Sequence, residues 1–127
     1  MCGIVGGVTN NDITSLLLEG LNRLEYRGYD SSGLIVLSKN NTFNRARSVG
    51  KVKNLQANLK ARDEKISGNI GIAHTRWATH GEPSVSNAHP HISMNSVSLV
   101  HNGIIENYVD LKNDQLNKGY SFSSETD

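Results

Sequence analysis

The sequence contains a single cysteine, so no internal disulfide can form, and no CxxC pair begins a zinc or redox site. Neither sign of charge is in excess: thirteen Lys and Arg face twelve Asp and Glu, for a net charge of +1. That balance excludes a polyanion-binding stripe built on bulk charge, and equally an acidic tail, so no nucleic-acid partner is expected. No apolar run approaches the roughly 18 residues that a membrane span requires, and no membrane partner is expected. Met1-Cys2-Gly3-Ile4-Val5-Gly6 has no basic head ahead of an apolar segment, so a secretory leader is not expected. Gly3, Gly6 and Gly7 do not make GxGxxG, and no GK[ST] occurs, which leaves nucleotide binding without support. The 127 residues make one domain at most, with enough apolar content (36%, plus 12 glycines) for one core. The expectation is a soluble chain of a reducing compartment, the cytoplasm.

Local signals are dense. Cys2 to Val8 is short, apolar and glycine-punctuated, and reads as a buried strand. Asn10-Asn11-Asp12 supplies helix-capping residues, after which Ile13, Leu16, Leu17, Gly20, Leu21 and Leu24 form one helical face that ends at Gly28. Gly33 to Leu37 is a second strand, and Lys39-Asn40-Asn41 turns into a third over Thr42 to Val49. Val52 to Ala61 is weakly helical, Ile70 to His74 and Val97 to Val100 are strands, and Tyr108 to Lys118 is a helix closed by Gly119. Tyr120 to Ser123 alternates like a strand, and Ser124 to Asp127 has the form of a helix-opening capping box. Strands arrive in pairs, which points to an α+β or layered α/β fold with mainly antiparallel sheet.

Five histidines (His74, His80, His89, His91 and His101) lack an accompanying acidic cluster, and His89 and His91 straddle Pro90, so neither metal nor cofactor is expected. Arg45 and Arg47 share a strand face and read as a solvated edge.

Cys2 is in a special place. Removal of Met1 would put a thiol and a free α-amine on one residue. An α-amine has a pKa of about 7.7–8.0 against about 10.4 for lysine, so near neutrality it can take a proton where lysine cannot. A thiol is intrinsically nucleophilic, so one residue can supply nucleophile and base. Glycine at position 3 leaves space for backbone to approach a ligand. His74-Thr75-Arg76-Trp77-Ala78-Thr79-His80-Gly81 is either a surface loop with a tryptophan anchor or a recognition loop rich in donors. His101-Asn102-Gly103 is either an ordinary Asn-Gly turn or an oxyanion hole, built from the Asn102 side-chain amide and the Gly103 N–H.

Together these words resemble the class II glutamine amidotransferases, a group of N-terminal-nucleophile hydrolases. The resemblance runs through Met1 to Gly6, Leu24 to Ser31, His74 to Gly81, Asn87-Ala88-His89-Pro90-His91, His101 to Asn107 and Ser124 to Asp127. Within the class, Tyr26-Arg27-Gly28-Tyr29-Asp30, Arg76-Trp77-Ala78-Thr79-His80 and Asn87 to His91 are most similar to the glutaminase domains of isomerising glutamine–fructose-6-phosphate aminotransferases. Phosphoribosyl-pyrophosphate amidotransferases carry a different word at the first of these sites and a tyrosine in place of the tryptophan.

The resemblance implies a four-layer αββα sandwich of which about the first half is here, residues 1–127 forming a partial amidotransferase domain without the sugar-phosphate isomerase domains. It implies L-glutamine as substrate, fructose 6-phosphate only through the isomerase domains, and a homo-oligomer in full-length family members. It makes Cys2 the nucleophile and its α-amine the base, with Asn102 and Gly103 stabilising the oxyanion. Arg76 would hold the glutamine α-carboxylate and Asp127 the α-ammonium. Trp77, Thr79 and His80 would lie in a mobile loop closing over substrate, Trp77 also guarding the exit of ammonia, with Arg27 and His89 as supporting candidates. Two other readings stay open: an incompetent fragment that acts as an interaction module through an open sheet edge, and a phosphoribosyl-pyrophosphate amidotransferase half.

Overall fold

The computed structural model describes residues 2–127; Met1, and with it the question of its removal, lies outside the described residues. The chain runs β1 (Gly3–Val8), α1 (Thr14–Leu24), a 3-10 turn (Glu25–Arg27), β2 (Ser31–Leu37), β3 (Phe43–Val49), α2 (Val52–Lys60) and β4 (Ile70–Arg76). It continues through β5 (His91–Ser93), β6 (Val97–Leu99) and α3 (Tyr108–Asn117). Strands β1 to β4 form one sheet of order β1-β4-β2-β3, and β5 with β6 forms a hairpin. Every strand pair among the described residues is antiparallel. The α+β expectation, with mainly antiparallel sheet, therefore stands.

Register explains which side of the sheet is dry. Side chains alternate across a strand, so Val5, Leu34, Val36, Ala46 and Ala73 point one way, toward Ile13, Leu17 and Leu21 on and beside α1 and Val52 and Leu55 of α2. These residues make the core. At the start of α1 the Asp12 carboxylate accepts the Thr14 N–H (3.1 Å), the Thr14 hydroxyl (2.7 Å) and the Gly68 N–H (3.2 Å). Burial opposes ionisation there, yet these bonds hold the Asp12 carboxyl below its ordinary range. The expected capping residue is thus Asp12, which precedes the N-cap Ile13. Gly28, at φ +70°, ends the helical run as expected.

Four readings need correction. Leu16 is not on the buried face: it is 54% exposed, whereas Ile13, Leu17 and Leu21 are fully buried. Strand β1 is only half-buried, with Ile4 and Val8 exposed on the face away from the helices. Gly3 is glycine for helix packing, because a Cβ there would lie 2.6 Å from Leu24 Cδ1. Tyr120 to Ser123 forms no strand, since alternation needs a partner edge and none pairs with it among the described residues. In the segment 124–127 the Ser124 and Thr126 hydroxyls bond each other at 3.1 Å and the Glu125 N–H goes to the Asn87 side chain.

Candidate active site

The C-terminal end of β4 and the N-terminal end of β1 lie side by side, because the antiparallel register pairs Gly3 with Thr75. Cys2 and the loop after Arg76 are therefore neighbours. The Trp77 N–H donates to Cys2 Sγ at 3.1 Å, and the thiol faces the Trp77 carbonyl at 3.7 Å. From the other side, the Asn102 side-chain amide donates to the Cys2 carbonyl at 3.1 Å. One amide proton is used there, which leaves the second for another acceptor. A cavity of about 580 Å³ is lined by Cys2, Arg27, Trp77, Thr79, Asn102 and Gly103. Ile104 completes it.

Six of the sequence-derived candidates thus share one cavity: Cys2, Arg27, Trp77, Thr79, Asn102 and Gly103. The other four do not line it. Arg76 is only 4% exposed, and its guanidinium donates to the carbonyls of His80, Gly81 (3.3 Å) and Glu82 (3.4 Å). The His80 ring meets Tyr108 edge-on, centroids 5.2 Å apart. The Asp127 carboxylate accepts the Ile105 N–H at 2.6 Å, one residue from the cavity wall. His89 lies under the loops and accepts the His101 N–H on Nδ1 at 3.1 Å.

Two residues that sequence reasoning gave no role hold the loops in place. The Asp30 carboxylate accepts the Ala78 N–H, while the Asp30 N–H donates to the Arg76 carbonyl at 2.8 Å. Asn87 is fully buried; its amide donates to the Glu82 carbonyl (3.0 Å) and the Glu125 carboxylate (3.1 Å), and its oxygen accepts the Glu125 N–H (2.9 Å). Both lie inside words of the resemblance, which was the only signal available for them.

The expected solvated edge at Arg45 and Arg47 is a correction. Arg47 donates to the carbonyls of Ser86 (3.1 Å) and Ala88 (2.9 Å), and Arg45 to that of Pro90 (3.2 Å). Burial, with Arg45 beside it, pulls Arg47 down to about 10, so it stays charged near neutrality. Three rings pack together: His74 lies tilted against His89 and His91 meets His89 edge-on, each pair with centroids 4.5 Å apart. Burial, then nearby Arg76, pushes His74 down to about 4. Burial, then its histidine neighbours, pushes His89 down to about 3. Burial, then Arg47 and Arg45, pushes His91 down to about 4. All three rings are neutral at physiological pH.

No protein-family profile matches the chain. In fold it is similar to the glutamine phosphoribosylpyrophosphate amidotransferase of B. subtilis complexed with ADP and GMP, with TM-score 0.74 and 25% identity, over 99% of this chain and 26% of that one. It is likewise similar to an allosteric regulatory enzyme of purine biosynthesis, with TM-score 0.72 and 26% identity, over 95% of this chain and 26% of that one. The chain has the fold of the N-terminal-nucleophile glutamine amidotransferases.

In sequence it is similar to the N-terminal part of isomerising glutamine–fructose-6-phosphate aminotransferases. It is 55% identical over all 127 residues to that of Pseudomonas putida and 58% identical to that of Acinetobacter baylyi, and the match covers 20% of each relative. The same aminotransferase from Legionella pneumophila is 55% identical, with 21% of it covered. The chain spans about a fifth of the length of these curated relatives. No helix among the described residues is long and apolar enough to cross a membrane.

Proposed function

We propose that this chain carries the glutamine-hydrolysing half-reaction of a cytoplasmic glutamine–fructose-6-phosphate aminotransferase, and that its residues form part of the glutaminase domain. The observation that carries the reading is the convergence of Cys2 Sγ, the Trp77 N–H and the Asn102 amide on one cavity. The sequence likeness to the aminotransferases, more than twice the identity to the purine enzymes, favours this reading over a phosphoribosyl-pyrophosphate amidotransferase half.

In this reading Met1 is removed and the Cys2 α-amine takes the thiol proton. The sulfur attacks the side-chain amide carbon of glutamine, forming a C–S bond and pushing the carbonyl pair onto oxygen. The free Asn102 amide proton and the Gly103 N–H hold that oxyanion, a kind of contact worth about 3–4 kcal/mol per donor where it has been removed. The ammonium proton passes to the leaving nitrogen, ammonia departs, and water cleaves the thioester to glutamate. Arg76 takes the α-carboxylate bidentately, exchanging the loop carbonyls of residues 80–82 for it. That exchange makes loop ordering depend on substrate, with Trp77, Thr79 and His80 closing the cavity and Trp77 screening the ammonia. Asp127 receives the α-ammonium. Ammonia then serves amino-sugar synthesis from fructose 6-phosphate, on isomerase domains of a homo-oligomeric enzyme.

The test is glutamate release from L-glutamine by the purified full chain and by its Cys2→Ala variant. Turnover abolished by the substitution is expected; turnover that survives it overturns the reading.

A further inference from the structure

The segment 86–90 is fastened to the sheet more firmly than any loop near the site requires for its own sake. A Cβ on Gly33 would lie 2.2 Å from the His89 carbonyl oxygen, so that carbonyl rests directly on β2 where only glycine leaves room. Arg47 and Arg45 then grip Ala88, Ser86 and Pro90 by their carbonyls. Four backbone points of the segment are thereby held to a rigid sheet. From this platform one side chain reaches out. The His89 ring is packed between His74 and His91, so it cannot swing, and its Nδ1 takes the His101 N–H at 3.1 Å. His101 immediately precedes Asn102, which is bonded to Cys2, and Gly103.

We propose that His89 is a positioning residue that ties the Asn102–Gly103 turn to the sheet, by accepting the His101 N–H on Nδ1 as a neutral, Nε2-protonated imidazole. It rests on the reading of Asn102 and Gly103 as oxyanion donors. His89 itself does not line the cavity. Its task is to fix backbone whose donors act only when aimed correctly, since a misplacement of about 1 Å costs on the order of 100-fold in rate. An imidazolium has no lone pair to accept with. The low-dielectric surroundings and the neighbouring His74, His91, Arg76 and His101 disfavour that form, which keeps the acceptor available. The arrangement accounts for why a histidine occurs here: it is an acceptor, on a flat ring, at one defined reach.

Two amides separate this role from simple packing. In His89→Asn the side-chain oxygen replaces Nδ1; in His89→Gln it reaches the place of Nε2; His89→Leu has no acceptor. In the full chain, His89→Gln and His89→Leu should lower kcat roughly 10- to 100-fold while leaving KM for glutamine within about twofold, because the oxyanion exists only beyond the ground state. His89→Asn should stay within about fivefold of wild type, and alkylation of Cys2 by iodoacetamide, which needs no oxyanion hole, should be unchanged in all three. Hydrogen exchange of the His101 amide should be slow in wild type and His89→Asn, and faster in the other two. Equal His101 exchange in wild type and His89→Leu overturns the proposal, as does a common loss of kcat in all three variants. A wild-type chain that shows the expected exchange pattern yet releases no glutamate overturns the glutaminase reading instead.

Discussion

Replacing Gly33 by alanine should uncouple the site from the sheet. The added methyl would sit 2.2 Å from the His89 carbonyl oxygen, 2.9 Å from Arg47 Cγ and 3.0 Å from the Ala46 carbonyl oxygen. Two of these three neighbours are backbone, and Ala46 belongs to the paired strand β3, so only segment 86–90 can give way. Ordinary contact begins at 3.4 Å, so the His89 carbonyl must retreat by about 1.2 Å. Overpacking of this kind costs about 1–3 kcal/mol, and stretching the charged Arg47 and Arg45 bonds adds to it, each being worth about 1.5–3 kcal/mol when intact. A loss of about 3–5 kcal/mol is therefore expected, a large share of a typical domain's 5–15 kcal/mol. A shift of this size, passed to His101 through His89, should also cut glutamine turnover on the order of 100-fold. Urea unfolding and steady-state glutaminase assays of the full chain read both effects. Gly6→Ala is the control: its nearest neighbour is the Ile72 Cγ2 methyl at 3.3 Å, a side-chain tip that can yield, and the cost should stay below about 1 kcal/mol. A Gly33→Ala variant as stable and as active as Gly6→Ala would falsify the claim that segment 86–90 rests on β2.

Acid should destabilise the protein earlier than carboxylate protonation alone would. His74, His89 and His91 are held neutral at about 4, 3 and 4, whereas the unfolded rings titrate near 6.5. Between those limits the unfolded chain binds more protons, so stability falls as pH drops from about 6.5, by up to about 1.4 kcal/mol per pH unit for each ring. Urea midpoints at pH 7, 6 and 5 should fall steadily, and a flat profile would contradict the burial of the three rings. Asn87→Ala should cost about 1–3 kcal/mol by orphaning the Glu82 carbonyl and the Glu125 N–H. Because Asn87 fastens the loop beside Arg76 to the segment ending in Asp127, it should raise KM for glutamine more than it lowers kcat; a pure kcat effect would argue against that linkage.

What could be read from the sequence was whatever its own neighbourhood determines. Asp12 ahead of Ile13, Leu17 and Leu21, and the Asn40-Asn41 turn after the apolar run Gly33 to Leu37, announce α1 and the β2–β3 hairpin because cap, period and turn are local chemistry. Leu16 departs from the expected face because it sits three residues from Ile13, at the margin of the stripe, where exact helix phase decides. The hairpin strand β5 has no sequence signature because three residues after a proline carry no period. Tyr120 to Ser123 carries a strand pattern without forming a strand because alternation says nothing about whether a partner edge exists. At the site, Cys2, Asn102 and Gly103 were legible as reactive groups, and the register Gly3–Thr75 explains why the loop after Arg76 joins them. Asp30, Asn87 and the arginine pair were not legible as supports. Each has a backbone N–H or C=O partner 38 to 48 residues away, which leaves no mark on the residues beside it.

The account turns on the chemistry of Cys2 as a processed first residue. Incubating the full chain with a diazo-ketone analogue of glutamine, then locating the adduct by mass spectrometry of the N-terminal peptide, tests it most directly. One adduct on the Cys2 sulfur of a chain that begins at Cys2 is the expected result, with L-glutamine protecting against it. Active material that retains Met1, or an adduct on another residue, would contradict the account.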